Sequence, residues 1–133
     1  MFEQDYLMRL LMQFMQAMRR SIERADDGRD PAAAADMLEN AIGDATDLDG
    51  SMLLSLAPES MASVLQVSGV DPHVTKYVAN SLQLESEFLR SAGNDGLAEV
   101  RAGQAQALAS AYGFELAEGT PTERLDYLES TQD

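Results

Sequence analysis

The stretch MFEQDYLMRLLMQFMQAMRRSIERA, residues 1–25, decides how the rest of the chain is read. Placed at about 100° per residue, Tyr6, Leu7, Met8, Leu10, Leu11, Met12, Phe14, Met15, Ala17, Met18 and Ile22 sweep about 240° of a helix circumference. That arc is far wider than the apolar stripe of an ordinary surface helix. Arg9, Gln13, Gln16, Arg20 and Glu23 fill the remainder, so one side can stay in water. Such a helix needs partners on more than one side, supplied by the rest of the chain or by a second one.

Downstream, the punctuation is helical. Pro31, Pro58, Pro72 and Pro121 all stand where a helix can begin, because the N–H that proline lacks has no partner in a first turn. Asp30, Asp71 and Thr120 precede three of them as side-chain caps, and Glu123 completes a capping box with Thr120. Met37, Leu38, Ala41, Ile42 and Ala45 stripe a second helix; Leu53, Leu56, Met61, Val64 and Leu65 a third, bent or broken at Pro58. Val74, Tyr77, Val78, Leu82, Phe88 and Leu89 mark a fourth that stops at Gly93-Asn94-Asp95-Gly96. A fifth runs from about Leu97 to Tyr112 with Val100, Leu108, Ala111 and Tyr112 inward, capped by Gly113; a short sixth spans Pro121 to about Ser130. No segment alternates as a strand would. The expectation is one all-α domain of five to six helices over residues 1–133: an apolar N-terminal helix (1–29), helical hairpins (30–113), and a short helix with a tail (114–133). Asp30-Pro31 and Asp71-Pro72 lie 41 residues apart, a spacing that suits helix-pair repeats and leaves a tetratricopeptide-like array and an irregular bundle both open.

Charge narrows the partners. The net charge is −14, but residues 1–29 hold five acids and five bases, so the whole deficit lies in residues 30–133, with 18 acids against Lys76, Arg90, Arg101 and Arg124. A body of that sign repels phosphate, which argues against nucleic acid and anionic membrane surfaces. Arg9, Gln13 and Gln16 interrupt the first apolar run well short of the roughly 20 residues a membrane span needs. The acidic start lacks the basic region of a secretory signal, so a cytoplasmic location is expected. With no cysteine, disulfides and thiolate chemistry are excluded.

Constellations that could carry chemistry fail on inspection. Aligning Gly50 with the glycine of a calcium loop puts Ala45 at the first ligand position and Leu56 at the twelfth, where a bidentate glutamate is required, so Asp47 and Asp49 read as a turn and cap. Glu85, Glu87, Glu99, Glu115 and Glu118 lack the Glu-x-x-His pairs of di-metal bundles and read as solvated acids. His73, the only histidine, has no neighbours in sequence that complete a triad or ligand set. No phosphate-binding glycine loop or nucleophile elbow is present. No catalytic residue, metal or cofactor is therefore assigned.

Phe2-Glu3-Gln4-Asp5-Tyr6-Leu7-Met8-Arg9, with Leu10, Leu11 and Phe14 following, resembles the opening of a family of short, functionally uncharacterised bacterial proteins, and Tyr112-Gly113 resembles a late element of the same family. The resemblance implies an all-helical, tetratricopeptide-like bacterial protein and carries no activity.

What remains is the methionine-rich helix. Five of the eight methionines fall within the first 18 residues, and methionine suits apolar surfaces that adapt to partners. The expected function is a non-enzymatic interaction module, binding a protein partner or its own copy through Leu7, Met8, Leu11, Met12, Met15 and Met18. The alternative is a small-molecule-binding bundle or small enzyme, its pocket lined by Tyr77, Phe88 and Tyr112 with His73 or Glu85 as the polar group.

Overall fold

In the computed structural model, which describes residues 2–130 and their side chains from Asp5 onward, the chain is all-helical. Among the described residues seven helices follow one another: α1 (Phe2–Asp26), α2 (Pro31–Thr46), α3 (Gly50–Leu54), α4 (Pro58–Val67), α5 (Pro72–Ser91), α6 (Asp95–Tyr112) and α7 (Pro121–Ser130). The count exceeds the expected five to six because the third segment is two helices. Pro58 has no N–H to continue a ladder from α3, so the chain turns at Ser55–Ala57 and restarts with Pro58 in the first turn of α4.

Each proline opens a helix. The Asp30 carboxylate accepts from the Ala33 N–H at 3.1 Å, and Asp71 from the His73 N–H at 2.8 Å. Thr120 and Glu123 close the capping box reciprocally, the two backbone N–H groups donating to the opposite side chains. The Thr120 N–H first, and then its hydroxyl, hold the Glu123 carboxyl below its ordinary pKa. Asp47 ends α2 in the left-handed region at φ 56°, and Asp49 caps α3 through the Ser51 and Met52 N–H groups, its pKa lowered by the Ser51 hydroxyl and then by Met52. Gly113 supplies the left-handed turn after α6 at φ 74°. Asp30→Ala is expected to lower the unfolding free energy by about 1 kcal/mol, the usual cost of a lost N-cap, read as a lower urea midpoint.

Packing makes α5 the central helix. Thirteen of its residues are buried, from Val74 to Leu89, including Tyr77, Val78, Leu82 and Phe88. Helix α6 returns antiparallel along it, α2 lies against another side, and α1 crosses with Phe14 tilted against Tyr77 at 6.1 Å between rings. The 114–119 connection is pinned to α5 where the Ala117 N–H donates to Asn80 Oδ1 at 2.9 Å. The end of α7 is held by the Tyr77 hydroxyl on the Leu128 carbonyl.

Helix α1 therefore differs from its expected form. It is one long helix, but among its described side chains only Leu11, Phe14, Met15, Met18, Ser21 and Ile22 are buried, an arc of about 120° against an apolar width of about 240°. Helix α2 packs antiparallel along one flank, and α7 is tied to the other by Arg19, paired with Glu129 at 3.0 Å and Asp126 at 3.6 Å. The apolar width is real in sequence, yet Tyr6, Met8 and Met12 stay in solvent, so α1 is amphipathic. Helix α6 also departs from expectation. Val100 and Ala111 face outward, and the buried stripe is Ala98, Arg101, Gln104, Ala105, Leu108 and Ala109. None of the described helices is long and apolar enough to cross a membrane.

Candidate functional site

Two features of the structure bear on function: a cleft beside Tyr6, Leu7 and Leu10 of α1, and a buried polar cluster. Of the six α1 residues nominated as a contact surface, Leu11, Met15 and Met18 are buried in the chain's own core, and Leu7 is half-buried. Met8 and Met12 remain exposed, at 37% and 53%, on the flank toward α7, and Tyr6, 64% exposed, stands on the opposite flank. Beside Tyr6 the helix overhangs the end of α2 and the α4–α5 turn. The three elements leave a cleft of about 530 Å³ lined by Tyr6, Leu7, Leu10, Ala45, Val70 and Val74 among others, with Asp47 and Asp71 at its polar edge. The local reason is the pair of short connections. Asp47 stops α2 in a left-handed turn, Gly69 turns at φ 74° after α4, and neither loop is long enough to fold back over the apolar floor.

The second feature was not legible as a site. Glu85 on α5 is fully buried, not solvated, and its Oε2 accepts from Arg101 Nε at 2.9 Å. The Arg101 guanidinium also donates to the Leu54 carbonyl at 2.9 Å and to Gln104 Oε1 at 3.1 Å, and reaches Glu39 Oε2 at 3.4 Å. Gln104 Nε2 in turn donates to the Leu54 and Leu56 carbonyls at 2.9 and 3.0 Å. These carbonyls lie at the α3–α4 break: Pro58 lacks the N–H that would have reached Leu54, and the turn itself leaves Leu56 without a helical donor. The cluster thus ties α2, α5 and α6 to that break. One guanidinium faces two carboxyl groups, and half-buried Glu39 is the better hydrated. Burial first, then the adjacent Glu39 carboxylate, push the Glu85 carboxyl up to about 9, against the pull of Arg101. Glu85 is neutral at pH 7, and its proton lets Glu39 and Arg101 balance as a single pair.

The side chains considered for an internal pocket do not assemble one. Tyr77 and Phe88 are core residues, Glu85 faces Arg101, and exposed His73 sits at 2.9 Å from Asp71 at the start of α5. Among the described residues no group of three or more His, Asp or Glu side chains converges to hold a metal ion.

No family model matches the chain, and no curated protein or solved structure shows a match to it.

Proposed function

We propose that the protein is a non-enzymatic, cytoplasmic interaction module that docks another protein chain on the first half of α1, with Tyr6, Leu7 and Leu10 at the centre and Met8 and Met12 a second exposed apolar strip on the opposite flank, toward α7. The observation that carries the reading is the cleft beside Tyr6, which has an apolar floor and a large aromatic side chain standing exposed at its edge. Exposed aromatics next to apolar pockets are where interfaces concentrate their binding energy. Leu11, Met15 and Met18, being core residues, support the surface from beneath. The helical pairing of α1 with α2 and of α5 with α6, with α2 against α5, also supports a tetratricopeptide-like reading of the hairpins.

A photo-crosslinking residue at position 6, introduced in the producing cells, tests the proposal. The expected result is one discrete adduct from position 6 and none from the same group at exposed Tyr127 on α7. Identical adduct patterns from both sites, or none from position 6, would defeat it. The cleft's volume also lies within the roughly 300–1,000 Å³ of small-molecule sites, which supports the ligand-binding alternative. Native mass spectrometry separates the two, since a bound small molecule adds a fixed mass that Leu10→Trp, by filling the cleft, abolishes.

A further inference from the structure

The charge around the α1 cleft specifies its occupant further, given the docking reading above. Asp47 and Asp71 stand at the edge, and none of the described lining residues is a lysine or arginine. Arg9 stands three residues after Tyr6 and about 60° from it around α1, on the side of Tyr6 away from Leu7 and Leu10, so it borders the aromatic rather than the apolar floor. His73, exposed at the start of α5, stands 2.9 Å from the Asp71 carboxylate. The acidic body has little base left to answer these carboxylates. Arg101 is buried on Glu85 and Glu39, Arg124 pairs with Glu87, and Lys76 sits over the Tyr127 ring at 5.6 Å. Only Arg90, exposed near the far end of α5, is outside these pairings among the bases of residues 30–130 described here.

We infer that the cleft receives a basic amphipathic segment of another protein: apolar anchors that enter between Tyr6, Leu10, Val70 and Val74, flanked by lysine or arginine side chains that meet Asp47 and Asp71. A second copy of this chain is the weaker occupant. Its residues 30–133 hold 18 acids against four bases, so a second copy offers few cations to meet Asp47 and Asp71.

The probe is a fluorescein-labelled Leu/Lys peptide of about five helical turns, titrated against the full chain, with a scrambled peptide of the same composition and a Leu/Glu amphipathic peptide as comparisons. The amphipathic Leu/Lys peptide is expected to bind about tenfold more tightly than the scrambled one, and the Leu/Glu peptide not at all. Amide shifts on binding cluster at Leu10, Thr46 and residues 68–74. Asp47→Asn with Asp71→Asn keeps the left-handed turn and the cap while removing both charges, and weakens binding about tenfold. Equal binding by the scrambled peptide, shifts spread over the acidic surface, or no effect of the double asparagine variant overturns the inference. Binding of the Leu/Glu peptide in the cleft overturns the basic partner and leaves the docking reading standing. A dimer in light scattering that Tyr6→Glu dissociates does the same by placing a second copy there.

Discussion

Replacing Arg101 with methionine is expected to lower the unfolding free energy by about 3–5 kcal/mol, a large share of the 5–15 kcal/mol typical of a domain. The side chain is buried and serves four acceptors from one planar fork: Glu85, Gln104, the Leu54 carbonyl and Glu39. Methionine restores most of the packing volume, so the loss reports the polar groups left behind. Glu85 Oε2 loses its donor inside the core, Gln104 Oε1 loses its own, and Glu39 keeps a charge with nothing opposite. Arg101→Lys is expected to recover only part of this, because an ammonium is a compact point charge that cannot span acceptors on α2, α5, α6 and the α3–α4 break at once. Adding Glu85→Leu to Arg101→Met should return much of the stability, since an apolar pair of similar volume replaces a buried polar one at little cost. Urea unfolding of the four chains measures the effect. A change within about 0.5 kcal/mol for Arg101→Met would show that the cluster is not what holds the α3–α4 break.

That cluster also explains where sequence reading stopped. Helix boundaries were legible because proline, Asp or Thr caps and Gly113 act locally, and the structure places a helix start at each proline. Burial depends on neighbours that no local signal names. The stripe of α6 has arginine at its centre and alanines around it, so hydropathy contrast vanished and Val100, which is exposed, looked like the inward residue. A usable signal did exist. Glu85 stands at i+7 from Val78, i+3 from Leu82 and i−4 from Leu89, in the middle of the apolar stripe of α5, and Arg101 stands at i+3 from Ala98, i−4 from Ala105 and i−7 from Leu108. A lone acid on one inward stripe and a lone base on the next point to a buried pair. In α1 the difficulty was the reverse. Met8 and Met12 are as apolar as Met15 and Met18, and only the positions of α5 and α7 decide which pair is covered.

The pH dependence of stability should carry the opposite slope from that of an ordinary ion pair. A carboxylate stabilised by arginine has a lowered pKa and lends stability that grows as pH rises through the acid range. Glu85 is raised, to about 9 from an ordinary 4.5, by burial and by Glu39. The folded state then binds a proton the unfolded chain has released. Its contribution is fully present below about pH 4.5, declines by about 1.4 kcal/mol per pH unit above that, and is gone once the pH passes about 9. Asp49 and Glu123 are lowered, so their contributions are lost only as pH falls through the acid range, outside this window. The remaining acids also accumulate repulsion as pH rises, which is why the comparison is made against Glu85→Gln. The carboxamide keeps the shape and neutrality of the protonated acid, can accept from Arg101 Nε, and can donate toward Glu39. Urea unfolding at a series of pH values from about 5 to 9 is expected to show the native chain falling steeply and Glu85→Gln nearly flat, the two curves separating most at the alkaline end. Parallel curves would mean that Glu85 is ionised in the folded protein, and with it that Arg101 holds two carboxylates rather than one.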